Sequence, residues 1–108
     1  MTSLETGAKA TNERVSGSIA DALLVKTPGD LTLPILAQAK AKGVVVSDEE
    51  ALGAMRVALE TFKVVVEPGG AVALAAALSG KFPVAGRTVA VICSGGNVDR
   101  ALLARAIG

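Results

Sequence analysis

The sequence predicts an α/β fold, part of a doubly wound parallel sheet with flanking helices. Three observations lead there. Short β-branched apolar runs alternate with longer stretches of helical spacing. Apolar residues make up 51% of the chain and aromatic ones only 2%, so the core must be small aliphatic side chains, which suit helices packed closely on a sheet. The run "TVAVIC", 88–93, is apolar on both faces and leads straight into "SGGN", as a central parallel strand leads into a ligand-side turn.

The elements follow in order. Residues 1–17 are polar and without clear period, a lead-in with room for one helical turn. "SIADALLV", 18–25, is broken by Pro28 and Gly29 in "KTPGD". Residues 31–43 read as a helix with Leu33, Ile35, Leu36 and Ala39 on one side, Lys40 and Lys42 in the last turn and Gly43 as the stop. Pro34 is tolerated only in a first turn, so this helix begins near Leu33.

"VVVS", 44–47, is β-branched and reads as a strand. Ser47 opens a capping box with Glu50, and Asp48, Glu49 and Glu50 suit the positive end of a helix dipole. The helix that follows spans about 48–62, with Ala51, Met55, Ala58 and Phe62 as its apolar stripe, widened by Leu52 and Leu59. "VVVEPGGAVALAAALSG" is an apolar entry, a turn and an Ala-rich helix over 69–79, with Pro68 at its first position and Gly80 as its stop. That helix is apolar on all sides and is expected to be buried among neighbours. A turn at 81–87, the strand 88–93 and a closing helix at 99–107 complete the chain. Two firm strands are few for an independent sheet, so the chain is expected to be incomplete.

Composition narrows the function classes. The formal net charge is +1 with no basic block, which speaks against nucleic acid. No apolar run reaches the roughly 18–20 residues of a membrane span, and the N-terminus lacks a secretory pattern, so a cytoplasmic protein is expected. A single Cys93 makes no internal disulfide, and a chain without His builds neither a His-containing triad nor a His zinc site, so no metal site is expected.

The chemistry concentrates in "SGGN". Ligands of open α/β sheets collect beyond the carboxyl ends of strands. Gly95 and Gly96 lack Cβ atoms, so the backbone can bend sharply and come close to a flat or anionic group. N–H groups at the start of the following helix can meet negative charge. Strand alternation sends Cys93 and Ser94 to opposite sides, which assigns Ser94 to a ligand and Cys93 to core packing. A plain tight connection explains the same four residues equally well. Glu67, between apolar segments and next to Pro68, is either an acid at a helix start or a carboxylate held toward a ligand; the sequence alone favours the former. Asp21 in "SIADAL" reads as a cap or turn carboxylate.

"SIADALLVKTPGDLTLPI", "VSDEEALGAMRVALETFKVVVEPGGAVALAAAL" and "VAVICSGGNVD" together resemble the C-terminal part of threonine/serine dehydratases and the related serine racemases. These are pyridoxal-phosphate enzymes of the tryptophan-synthase-β-like fold. The resemblance covers nearly the whole chain from about Ser18, which divides it into a lead-in, 1–17, and a catalytic-domain portion, 18–108. It implies that Ser94 hydrogen-bonds the pyridine nitrogen of the cofactor, that Gly95 and Gly96 shape the wall beside the ring, and that Glu67 stands close to the ring. It also implies departures. The family's Schiff-base lysine motif and phosphate-cradling glycine loop are not among these 108 residues, the acidic metal site of some members is expected upstream of Met1, no regulatory domain is expected after Gly108, and Gly69 stands where the family usually has Ser or Thr. No catalytic residue is therefore assigned in this chain.

Two readings result. In one, the chain is the C-terminal segment of a lyase that deaminates L-threonine or L-serine to a 2-oxo acid and ammonia, acting on a small amino acid. In the other it is a non-catalytic module that assembles with itself or with a partner chain. Both expect a homo-oligomer or association with the remaining part of the fold.

Overall fold

Helix α3 (Asp48–Phe62) is the centre of the computed structural model, which describes all 108 residues. It starts where its sequence says it should. The Ser47 Oγ accepts from the Glu50 N–H at 3.2 Å, and Glu50 Oε2 accepts from the Ser47 N–H at 2.6 Å. Its C-terminus is closed by Lys63 in a left-handed conformation. Its buried side chains are Ala51, Leu52, Ala54, Met55 and Ala58. Phe62, expected to continue that stripe, is 60% exposed.

Four further helices complete the fold: α4 (Pro68–Leu78) and α5 (Arg100–Ile107) pack on α3, while α1 (Thr2–Thr6) and α2 (Thr32–Gln38) pack on each other. A single 3-10 turn, Asp21–Leu23, lies against α4. Helix α4 presents Ala71, Ala75 and Ala76 to the core, and α5 adds Ala106. Small side chains let these helices approach α3 closely. Helix α4 has one buried face only: Leu78 is 54% exposed, so the expected all-round burial is not seen. Helix α2 stops at Gln38, short of the expected Gly43, because the chain turns left-handed at Lys40.

The lead-in is tied down by polar groups. Asn12 accepts nothing from its side chain but donates, through Nδ2 to the Val25 carbonyl at 2.8 Å and through its N–H to the Lys26 carbonyl at 2.8 Å. Asp48, at the start of α3, accepts from the Ser18 hydroxyl at 2.6 Å and from the Ile19 N–H at 3.2 Å. An acidic first-turn residue thus ties residues 18–19 to the helix dipole's positive end.

The fold class is corrected: the structure is all helical and contains no strand or sheet. The segments 44–47 and 88–93 are irregular. Strand character in a sequence reports side-chain preference, whereas a strand exists only when a neighbour completes its ladder of hydrogen bonds. No backbone hydrogen bond joins 44–47, 64–66 and 88–93 to one another. Ile92, in the run that looked buried on both faces, is 77% exposed. The core is correspondingly thin. Only 14 of the 108 residues are buried, the molecule measures 40 × 36 × 20 Å, and its radius of gyration of 14.7 Å exceeds the roughly 13 Å of a compact chain this long.

Candidate functional site

The N-terminus of α4 and the turn at 94–97 meet backbone to backbone. Pro68 has no N–H to satisfy and a φ already suited to a first helical turn, so α4 begins at once after Glu67. The Glu67 carbonyl then accepts from the N–H groups of Gly70 and Ala71, each at 3.0 Å. With those donors satisfied by the backbone, the Glu67 side chain is not used as a cap on its own helix.

It reaches instead to the turn. The Glu67 N–H donates to the Gly95 carbonyl at 3.0 Å, and Glu67 Oε2 accepts from the Asn97 N–H at 3.0 Å. The Ser94 N–H donates to the Gly70 carbonyl at 3.4 Å. Gly95 has φ +74°, a conformation that favours glycine, and a Cβ there would come within 2.5 Å of the Glu67 carboxyl carbon. Gly96 is less confined: a Cβ would meet only the Val65 carbonyl, at 3.4 Å.

The structure therefore gathers all four sequence-predicted residues, Glu67, Ser94, Gly95 and Gly96, into one place. Asp21 lies elsewhere and accepts from the Ala22 N–H at 2.8 Å, the turn role expected of it. Cys93 is exposed rather than packed in a core. It borders an apolar hollow of about 370 Å³ together with Phe62, Val64, Val66, Leu74 and Val91. Two residues that the spacing did not single out, Gly70 and Asn97, complete the site. The signal for Gly70 is the second of two glycines at a helix start, where one suffices for a turn. Asn97 contributes only its backbone, which no residue type announces.

The Ser94 hydroxyl is exposed and makes no hydrogen bond within the chain. A hydroxyl can donate to or accept from a ring nitrogen without bringing a formal charge. Beside it, Gly95 and Gly96 leave the backbone bare toward solvent. These residues fit the ring edge of a flat heteroaromatic cofactor. They offer neither an amine nor a phosphate cradle. The lysines placed by a polar contact are engaged elsewhere: Lys9 with Asp30, Lys63 with the Glu60 carbonyl at 2.8 Å, and Lys81 with Glu50 at 2.7 Å.

Comparison with known proteins gives this geometry a context. The chain is 43% identical over 97 residues to an L-threonine ammonia-lyase of Thermotoga maritima, covering 88% of this chain and 24% of that one. It is 37% identical over 100 residues to the catabolic L-threonine dehydratase TdcB of Escherichia coli, covering 91% and 30% respectively. Among solved structures, maize serine racemase superposes with a TM-score of 0.79 at 37% identity, over 98% of this chain and 34% of that one. The chain thus spans about a quarter to a third of the length of these relatives. Residues 1–95 match the profile described as pyridoxal-phosphate dependent enzyme, and with that match the chain belongs to this family.

Proposed function

We propose that this chain is the C-terminal segment of a pyridoxal-phosphate lyase that converts L-threonine or L-serine to a 2-oxo acid and ammonia. The unpartnered Ser94 hydroxyl, held between two backbone tethers at Gly70 and Glu67, carries the reading. The activities named for the relatives from Thermotoga maritima and Escherichia coli support the substrate class.

When bound, pyridoxal phosphate supplies an electron-withdrawing ring that stabilises negative charge at the substrate α-carbon. Ser94 contributes a neutral hydrogen bond at the ring nitrogen, so the protein does not force a proton onto it. A neutral partner there would leave the ring a weaker electron sink than a carboxylate partner would. Gly95 and Gly96 keep the ring edge free of side chains. Glu67 keeps its Oε1 without a donor from the chain, beside the Gly95 position. The amine that joins cofactor and substrate, and the base for the α-proton, are supplied by the rest of the catalytic domain. The partners in this reading are a small amino acid and that remaining portion. Nucleic acid and membrane have no part in it, and no helix is long and apolar enough to cross a membrane.

The test is steady-state 2-oxo acid production from L-threonine and L-serine by the enzyme that contains this segment, with cofactor occupancy measured in parallel. Ser94→Ala should weaken cofactor binding about two- to tenfold, the effect of one neutral hydrogen bond, and lower turnover of the occupied enzyme further. Unchanged binding and turnover would refute the assignment.

A second reading is favoured by Leu31 and Ile92, which are 82% and 77% exposed. Here the chain assembles with itself or a partner and does no chemistry. Pyridoxal phosphate added to the 108-residue chain, followed by borohydride reduction and peptide mapping, should label no single lysine stoichiometrically. Stoichiometric labelling at one lysine would exclude the non-catalytic reading and place the amine within this chain.

A further inference from the structure

We infer that Glu67 is the positioning residue of the Ser94 turn: its carboxylate, by accepting the Asn97 N–H, holds the Ser94 hydroxyl in the place where the ring nitrogen is met. The inference rests on the reading of Ser94 given above and adds a role for a residue that acts through another.

Glu67 spends both ends on one turn. Its N–H donates to the Gly95 carbonyl and its Oε2 accepts from the Asn97 N–H, each at 3.0 Å, across 28 and 30 positions of sequence. The remaining tether to α4, from the Ser94 N–H to the Gly70 carbonyl, is longer at 3.4 Å. The turn's internal bond, from the Val98 N–H to the Gly96 carbonyl at 2.9 Å, does not connect it to anything else. Two of the three links from residues 94–97 to the body of the protein therefore run through Glu67. A hydrogen bond to a charged acceptor is also stronger than the neutral ones beside it. Gly95 fits the same scheme. Its left-handed φ turns the chain toward the carboxylate, and its missing Cβ leaves room for the carboxyl group, whose oxygens would otherwise lie 2.7 Å away.

The role needs an acceptor at the right reach, and it does not need a negative charge. That separates positioning from direct electrostatic action on a ring. In the isotope-labelled 108-residue chain, the amide of Asn97 should exchange about tenfold faster in Glu67→Ala than in the parent. Glu67→Gln, which keeps a carbonyl oxygen at the same reach, should restore most of the protection. The amide of Met55, buried in α3, should be unchanged in both and so reports an intact fold. In the enzyme that contains this segment, pyridoxal phosphate should be retained by Glu67→Gln nearly as by the parent, and several-fold less by Glu67→Ala.

Equal Asn97 exchange in parent and Glu67→Ala would overturn the inference, and so would a Glu67→Gln variant that behaves like Glu67→Ala in both measurements. The amide measurement involves no cofactor. If Ser94→Ala leaves cofactor binding unchanged while Asn97 still loses protection in Glu67→Ala, the reading of Ser94 fails and the tether survives. If Asn97 is insensitive while Ser94→Ala weakens binding, the tether fails and the reading of Ser94 survives.

Discussion

The carbonyl oxygen of Ser94 lies 1.5 Å from the point where a Cβ on Gly70 would sit. No side chain fits there, so the first turn of α4 can touch the Ser94 turn only through bare backbone. In an exposed helix interior, replacing Gly with Ala stabilises by roughly 0.5–1 kcal/mol. Here the clash is with backbone, which cannot rotate aside. Gly70→Ala is expected to destabilise by about 1–3 kcal/mol, the usual range for overpacking, and to displace Ser94 from α4. Denaturant unfolding gives the first quantity. A stability equal to or above the parent would mean that the two segments do not approach in solution as they do here.

Gly53 is the control for that substitution. It lies in the middle of α3, exposed, and a Cβ would have no heavy atom within 4 Å. Only the helix-propensity effect operates, so Gly53→Ala should stabilise by about 0.5–1 kcal/mol. The same unfolding experiment reads it. Destabilisation at Gly53 would show that α3 is not a regular helix at that point.

Glu50 sets a pH dependence. The Lys81 ammonium bonded to its Oε2 at 2.7 Å, together with the Ser47 N–H, holds the carboxyl below its ordinary value of 4.5. Its folded-state value is depressed, so the unfolded chain binds the proton more readily. The stability that Glu50 contributes is therefore fully present above about 4.5, and it is lost as pH falls below 4.5 through the folded-state value. The melting temperature of Glu50→Gln should lie below the parent's at neutral pH and converge on it in that acid window. Parallel curves down to the lowest pH would remove Glu50 as a source of acid sensitivity.

Helix boundaries were legible where side chains signal them locally. The Ser47–Glu50 capping box, Pro68 at a first helical position and Asp99, which accepts from the Leu102 N–H at 2.8 Å, each sit where the sequence put a helix start. These are contacts within a few residues, and composition at those residues decides them. The sheet expected from the sequence is absent from the structure. The β-branched runs at 44–47 and 88–93 carry strand preference, but pairing depends on a partner that lies outside the run itself. The site stands between these cases. Ser94, Gly95, Gly96 and Glu67 could be named from motif and resemblance. That Glu67 turns to Asn97 could not, because the contact is made with a backbone group 30 positions away.

Ser94 and Cys93 together fix the register of the turn, and substitutions at the two positions should separate cleanly. Cys93 is exposed at the rim of an apolar hollow and makes no hydrogen bond. Cys93→Ala is expected to change stability by no more than about 0.5 kcal/mol and to leave turnover per occupied enzyme unchanged. Ser94→Asp should act in the opposite way, with the fold retained because the side chain is exposed. Under the proposed function, a carboxylate at this position would favour the protonated form of the ring nitrogen and so strengthen electron withdrawal by the ring. Negative charge at the substrate α-carbon is then better tolerated, and the pressure to expel the β-hydroxyl falls. Production of 2-oxo acid should drop, and the D-enantiomer of the substrate should accumulate in larger proportion to it. Both products are measured in the enzyme that contains this segment, at matched cofactor occupancy. If Cys93→Ala abolishes turnover in fully occupied enzyme while Ser94→Asp leaves both products unchanged, the register is off by one residue and the thiol is the group that faces the ring.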